Sequence, residues 1–268
     1  MCFTLDSRPP IPPIEGGDLD SSELTLTASD GSPLMAFGAR AAEPTGAGIV
    51  VLPDVRGLHT YYRDLALRFA EAGVHAVAID YFGRTAGPGS RGADFEYMPH
   101  VGRTTFAGLS ADVAAAVAHL RSADGGEARS VFTVGFCFGG RLAFVSATLG
   151  LDLAGVIGFY GVPVGPGRND VPAPVDVASR MASPVLGLFG GDDGAIPASS
   201  LEAFEAALGR AGLEHRIISY PGAPHSFFDR TFEEHAAAST DAWKQVLDFI
   251  ADRTTDGDAP GPGHRPEA

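Results

Sequence analysis

Cys137 lies in a glycine-rich turn, the segment 134–140 with the sequence VGFCFGG. An apolar run typical of a buried strand precedes it, and a segment with helical spacing of apolar residues follows it. This is the pattern of a nucleophile elbow, whose tight backbone needs small residues on either side of the nucleophile. The start of the following helix favours a thiolate and a developing oxyanion. We therefore predict Cys137 as a nucleophile and the N–H of Phe138 as an oxyanion donor. With 35 glycines in the chain, a structural cysteine near a glycine turn is the alternative.

A thiol nucleophile needs a base, and one of the eight histidines stands in a suitable place. His225 follows the last predicted strand, at the end of the sheet where α/β folds place their functional groups. Asp192 and Asp193 follow an earlier apolar run, and either carboxylate could orient the imidazole. Either could instead only form the turn. The order nucleophile, acid, histidine is that of α/β hydrolases.

The elements that must position these residues alternate between strand and helix. Residues 23–28 and 33–39 are predicted to form a hairpin around the Asp30-Gly31 turn. Apolar runs then predict strands at 48–52, 74–79, 131–134, 154–159, 185–189 and 215–220. Helical spacing predicts helices at 62–70, 109–120, 142–149, 201–208 and 243–250. This alternation predicts a mostly parallel central sheet between two layers of helices. Together with the elbow and the order of the site residues, it predicts an α/β-hydrolase fold.

The composition and charge of the chain indicate its domain organisation and the classes of partner that it can bind. We expect an extended arm at 1–20, one domain at 21–253 and a disordered polar tail at 254–268. A net charge of −14 disfavours nucleic acid and anionic membranes. With only two cysteines, the chain is not expected to have a disulfide framework. Its cysteines and histidines do not have the spacing of metal ligands, so we expect no metal site. We expect a cytoplasmic monomer or homodimer without a cofactor, acting on a small molecule.

Three motifs resemble the dienelactone hydrolase (carboxymethylenebutenolidase) family. They are GFCFGG at 135–140, GGDDGAIP at 190–197 and PHSF at 224–227, in an order and spacing that agree over about 46–250. In the family, the aspartate stands four residues before the proline of the middle motif, which selects Asp193. The resemblance implies a Cys137–His225–Asp193 triad that hydrolyses a cyclic enol ester to a keto acid through a thioester.

Further site residues are implied by the same resemblance. The family has a glutamate after the first parallel strand, in contact with the thiol, and Asp54 stands there with a side chain one methylene shorter. The N–H of Val55 would be the second oxyanion donor. Tyr160 matches an aromatic residue near the family's pocket. A surface acid is the alternative for Asp54, and a tyrosine packed at a strand end is the alternative for Tyr160.

Two arginines bind the substrate carboxylate in this family. Arg84 matches the first of them. The position of the second, four residues after the histidine, is held by Asp229, and Arg230 follows it. The sequence therefore predicts Arg84 and Arg230 as carboxylate ligands, with solvated surface arginines as the alternative. Two alternative functions remain open from the sequence. The protein could be an esterase or thioesterase for neutral substrates, or a non-catalytic relative that binds a ligand or senses oxidants through Cys137.

Overall fold

A single sheet forms the centre of the computed structural model, which describes residues 7–13, 20–89, 91–92 and 94–255. Within these residues the strand order is β1-β2-β4-β3-β5-β6-β7-β8. The strands are β1 (Asp20–Thr27), β2 (Pro33–Arg40), β3 (Ala47–Leu52), β4 (His75–Ile79), β5 (Ser130–Phe136), β6 (Gly155–Phe159), β7 (Val185–Gly190) and β8 (His215–Tyr220).

Helices connect the strands and cover the sheet. They are α1 (Thr60–Glu71), α2 (Gly83–Ala86), α3 (Tyr97–Val101), α4 (Phe106–Arg121), α5 (Phe138–Ser146), α6 (Pro174–Val177), α7 (Ala198–Arg210) and α8 (Ala236–Ala251), with a 3₁₀ turn at Ala178–Arg180. None of these helices, which cover only the described part of the chain, is both long and apolar enough to cross a membrane.

The sheet confirms the predicted fold class. From β3 onward all neighbouring strands are parallel, whereas β1 pairs with β2, and β2 with β4, in antiparallel fashion. Strands β3 to β7 are buried along their whole length. Their continuous apolar runs are typical of a parallel sheet covered on both faces. The carboxyl ends of β3, β5, β6 and β7 therefore meet along one edge, where the predicted site residues follow them.

Short helices are the main difference from the sequence prediction. Between the predicted elements, the segment 81–103 contains α2 and α3, and the segment 160–183 contains α6 and the 3₁₀ turn. Elements of three to five residues are too short to show an apolar period. Of the predicted arm, residues 7–13 form neither helix nor strand, and residues 1–6 and 14–19 lie outside the described residues. So do Cys2 and residues 256–268 of the predicted tail.

Candidate active site

The turn between β5 and α5 has the strained backbone of a nucleophile elbow. Cys137 has φ 54° and ψ −107°, a conformation that residues with a side chain rarely adopt. A Cβ atom on Gly135 would lie 1.9 Å from the carbonyl oxygen of Gly139. A Cβ atom on Gly139 would lie 2.1 Å from the carbonyl oxygen of Leu52. Both positions therefore require glycine. Cys137 stands immediately before the first residue of α5.

The two predicted oxyanion donors belong to turns that pack against each other. Phe138 is the first residue of α5, so its N–H has no carbonyl one turn earlier in the helix. Val55 lies in the turn after β3 that the N–H of Gly57 closes on the oxygen of Asp54 (3.1 Å). Gly139 allows the start of α5 to approach the end of β3 within backbone contact. Their role as an oxyanion hole remains a prediction.

A carboxylate orients the predicted base. The Nδ1 atom of His225 lies 2.6 Å from Oδ2 of Asp193. The Asp193 side chain is fully buried, and its Oδ1 accepts a hydrogen bond from the N–H of Ala195 (2.9 Å). The neighbouring Asp192 is exposed. Of the two aspartates that the residues alone left open, the structure brings Asp193 to the imidazole.

Asp54 is an interior residue rather than a surface acid. It is fully buried, its Oδ1 accepts from the N–H of Arg56 (2.9 Å), and its own N–H donates to the hydroxyl of Tyr62 (3.0 Å). Tyr81 is also buried, donates its hydroxyl to the oxygen of Pro53 (2.9 Å), and has its pKa raised by burial and by nearby acids. The sequence carries no indication that the hydroxyl of Tyr62 binds the backbone of Asp54, because an aromatic residue at helical spacing is typical of the hydrophobic core. Contact between Asp54 and the thiol stays a prediction.

Tyr160 packs beside the base and binds an acid. It is fully buried, its ring centroid lies 4.9 Å from that of His225, and its hydroxyl donates to Oδ2 of Asp229 (2.5 Å). Asp229 is fully buried as well, and burial raises the pKa of its carboxyl well above the ordinary value. The position that differs from the family's arginine therefore holds an interior acid.

Arg84 is engaged by carboxylates. Its Nε and a terminal nitrogen bind Asp112 at 3.1 and 2.7 Å, and it also pairs with Asp30. These bonds raise the pKa of the guanidinium. Arg84 and Tyr81 both line a cavity of about 310 Å³. Among the contacts described, none joins Arg84 to Cys137.

Arg230 lies on the surface. Its side chain is exposed, beside Glu233 and Glu234 in the segment after the histidine. The contacts of the described residues do not bring Arg230 together with Arg84. The contacts therefore do not place the two arginines at one common site. Their role in binding the substrate carboxylate stays a prediction.

Arg141 is a residue of this region that sequence reasoning did not single out. It is buried in α5, four residues after the cysteine, and its guanidinium donates to the carbonyl oxygens of Val162, Gly165, Val171 and Pro172 at 2.9 to 3.4 Å. It thereby ties the long loop after β6 to the elbow helix. The carbonyls that it binds are visible only in the folded chain.

A parallel sheet, a strained cysteine elbow and a histidine–aspartate pair after later strands define an α/β hydrolase. The family model of the dienelactone hydrolase family matches residues 36–253. The chain belongs to the dienelactone hydrolase family, and thus to hydrolases of ester or lactone bonds.

Curated relatives agree with this assignment. A protein of Salmonella typhimurium named "Putative carboxymethylenebutenolidase" is 33% identical over 243 residues, which cover 86% of this chain and 87% of the relative. A protein of the same name from Escherichia coli K12 is 32% identical over 239 residues, with 85% of each chain covered.

Solved structures have the same architecture. A crystal structure titled "Putative Dienelactone Hydrolase" from Klebsiella pneumoniae is 28% identical with a TM-score of 0.76, covering 88% of this chain and 99% of that one. A dienelactone hydrolase-like promiscuous phosphotriesterase from metagenomic libraries has a TM-score of 0.71, with 89% and 100% covered. At 22% identity it supports the fold alone.

Proposed function

We propose that this protein hydrolyses esters or lactones through a Cys137–His225–Asp193 triad. The observation that carries the proposal is the 2.6 Å contact between His225 and Asp193, found in a chain whose elbow holds Cys137 at φ 54°. An oriented imidazole and a half-buried thiol on a strained turn are the two parts that nucleophilic acyl transfer needs. Family membership supports the same reaction class.

The proposed reaction has two acyl-transfer steps. His225 takes the thiol proton, and the thiolate of Cys137 attacks the carbonyl carbon. The N–H groups of Phe138 and Val55 would hold the oxyanion, where the loss of one donor costs on the order of 10²–10³ in rate. The C–O bond then breaks, and the leaving enolate or alkoxide takes the proton from the imidazolium. A thioester remains. Water gives a proton to His225 as it attacks the thioester carbonyl, the C–S bond breaks to release the acid, and the thiolate of Cys137 takes the proton back from the imidazolium.

Two substrate classes fit this machinery. The resemblance favours a lactone or ester that bears a carboxylate, with Arg84 and Arg230 as its ligands. One observation favours the second candidate, an esterase or thioesterase for neutral substrates. The charge of Arg84 is already balanced by Asp112 and Asp30, while Arg230 is exposed and Asp229 is buried near the base.

Replacement of the nucleophile tests the proposed function. We expect Cys137→Ala to lower kcat/KM for a dienelactone and for 4-nitrophenyl butyrate by about 10³-fold or more. Cys2→Ala, which removes the other cysteine of the chain, is the matched control and should retain full activity. Acid quenching during turnover should trap an acyl group on Cys137, detectable by mass spectrometry. Full turnover by Cys137→Ala would contradict the triad, and a wild-type protein inactive on every ester and lactone would favour a non-catalytic relative.

A matched pair of esters separates the two substrate classes. We compare 4-nitrophenyl butyrate with 4-nitrophenyl hemisuccinate, which places a carboxylate on the acyl chain. If Arg84 binds that carboxylate, Arg84→Ala lowers kcat/KM about tenfold or more for the hemisuccinate alone, since a charged hydrogen bond contributes about 1.5–3 kcal/mol. An equal effect on both esters, with wild-type preference for the butyrate, would favour the neutral class.

A further inference from the structure

Tyr160 and Asp229 form a buried pair that the reaction scheme does not use. The phenol donates to Oδ2 of the carboxyl at 2.5 Å, and both side chains are fully buried. The other carboxyl oxygen accepts the N–H of Arg230. Burying a phenol and an acid is costly unless each is hydrogen-bonded, so this pair holds the two segments that carry it in register.

Those two segments are the ones that present the nucleophile and the base. Tyr160 directly follows β6, and the preceding carbonyl, that of Phe159, accepts the N–H of Cys137 (3.0 Å). Asp229 lies four residues after His225, and its N–H donates to the oxygen of Ser226 (3.2 Å). The phenol–carboxyl bond thus links the residue after Phe159, whose carbonyl binds Cys137, to the turn that begins directly after His225.

The backbone around this pair is unusual in the same way as at the nucleophile. Tyr160 has φ 39° and Ser226 has φ 66°, values that are rare for residues other than glycine. Such strain persists where surrounding contacts determine the conformation, and it concentrates at functional sites. Tyr160 is held by its N–H, which donates to the oxygen of Leu188 (2.8 Å), and by its hydroxyl on Asp229.

The imidazole needs more than its bond to Asp193. The hydrogen bond to Asp193 is made by one ring atom, Nδ1, so the contacts of the rest of the ring also determine its orientation. One such contact is made by the Tyr160 ring, which lies 4.9 Å away between centroids and is inclined by 53°. We propose that the Tyr160–Asp229 hydrogen bond positions the imidazole of His225, which makes both of them positioning residues for the hydrolysis. This inference rests on the proposed function, because it assumes that His225 is the base.

Three variants with different hydrogen-bonding capacity test the role. Tyr160→Phe keeps the ring and removes the donor, and Asp229→Leu removes the acceptor at similar volume. Asp229→Asn keeps an oxygen that can accept from the phenol. With 4-nitrophenyl butyrate we expect Tyr160→Phe and Asp229→Leu to lower kcat about 10- to 100-fold, with KM within about twofold, because small misplacement of a catalytic group can cost about 10² in rate. Asp229→Asn should retain more activity than Asp229→Leu, because it can keep the bond from the phenol and loses only the bond from the N–H of Arg230.

The double variant Tyr160→Phe/Asp229→Leu should be no slower than the worse single variant, because both changes remove one hydrogen bond. Tyr220→Phe is the matched control, since Tyr220 also donates to a carboxylate, that of Asp241 (2.9 Å), and packs on Phe227 of the same loop. It should change kcat less than about threefold. All variants are compared at a temperature where circular dichroism shows them folded.

Wild-type kcat in Tyr160→Phe, additive losses in the double variant or an equal loss in Tyr220→Phe would overturn the positioning role. The proposed function is judged separately by Cys137→Ala and by His225→Ala. If those two are inactive while Tyr160→Phe is fully active, only the positioning inference is wrong. If they stay active, the proposed function is wrong, and the inference fails with it.

Discussion

The Nδ1 atom of His225 lies 2.6 Å from Oδ2 of Asp193, a buried carboxylate at the carboxyl end of the neighbouring strand. This contact sets the tautomer in which Nδ1 carries the proton. The Nε2 atom is then left as the basic nitrogen. The relation joins residues that are 32 positions apart in the chain.

Asparagine at position 193 should disable the base. The amide can donate to Nδ1 and so favour the wrong tautomer, and we expect kcat to fall on the order of 10²–10⁴-fold, as in other triads. Asp192→Asn removes the same charge from an exposed neighbour and should stay close to wild type. Steady-state hydrolysis of 4-nitrophenyl butyrate measures both. A loss confined to the Asp192 variant would reverse the assignment.

Alanine at position 139 should destabilise the fold. Its Cβ atom would lie 2.1 Å from the backbone oxygen of Leu52, and neither backbone can shift without disturbing the elbow. We expect the free energy of unfolding to fall by about 3 kcal/mol or more. Gly92→Ala is the control, since no atom lies within 4 Å of its Cβ position. Urea denaturation measures both, and equal stability of the two variants would show that the contact is relieved.

Loss of Arg84 should cost stability whatever its role toward substrate. Asp112 is 1% exposed, and in Arg84→Ala its carboxyl loses the three charged hydrogen bonds that Arg84 donates. We expect a loss of about 2–4 kcal/mol, since removing one partner of a buried pair is strongly destabilising. Asp30→Asn should have a smaller effect, because the Asp30 side chain is 49% exposed. Thermal unfolding compares them, and an Asp30 variant as unstable as Arg84→Ala would contradict this ranking.

Acid should weaken the fold through His75. This histidine is 3% exposed, its Nδ1 accepts the N–H of Ala41 (3.1 Å), and burial lowers its pKa, with Arg40 contributing. The unfolded chain, with a histidine pKa of about 6.5, then binds more protons between that pH and the lowered folded value. Stability is therefore complete above about pH 6.5 and falls as the pH drops through this window.

The matching variant is His75→Asn, whose Oδ1 can accept from the same N–H without titrating. Urea unfolding at pH 7.5 and pH 5.0 should show a larger loss of stability on acidification in the wild type than in the variant. Equal losses in the two proteins would show that His75 is not responsible.

Local features of the site could be predicted from the sequence because neighbouring residues determine them. The elbow at Cys137 needs glycines within a few positions, and the buried strands show themselves as apolar runs. These patterns also predicted the sheet, the order of the site residues and the hairpin of β1 and β2. The resemblance to a known family, rather than any pattern in the residues, preferred Asp193 to Asp192.

Contacts between distant segments could not be predicted in this way. Arg84 binds acids 28 and 54 positions away, and Asp229 meets Tyr160 across 69 positions. Whether such a group is a surface charge, part of an ion pair or a buried acid depends on which segments pack against it. The spacing of apolar residues within one segment does not indicate which distant segment that will be. The sequence by itself determined the fold class and the glycine-flanked turn at Cys137. Only the tertiary structure decided how the charged groups around that turn are paired, because pairing depends on packing between strands far apart in the chain.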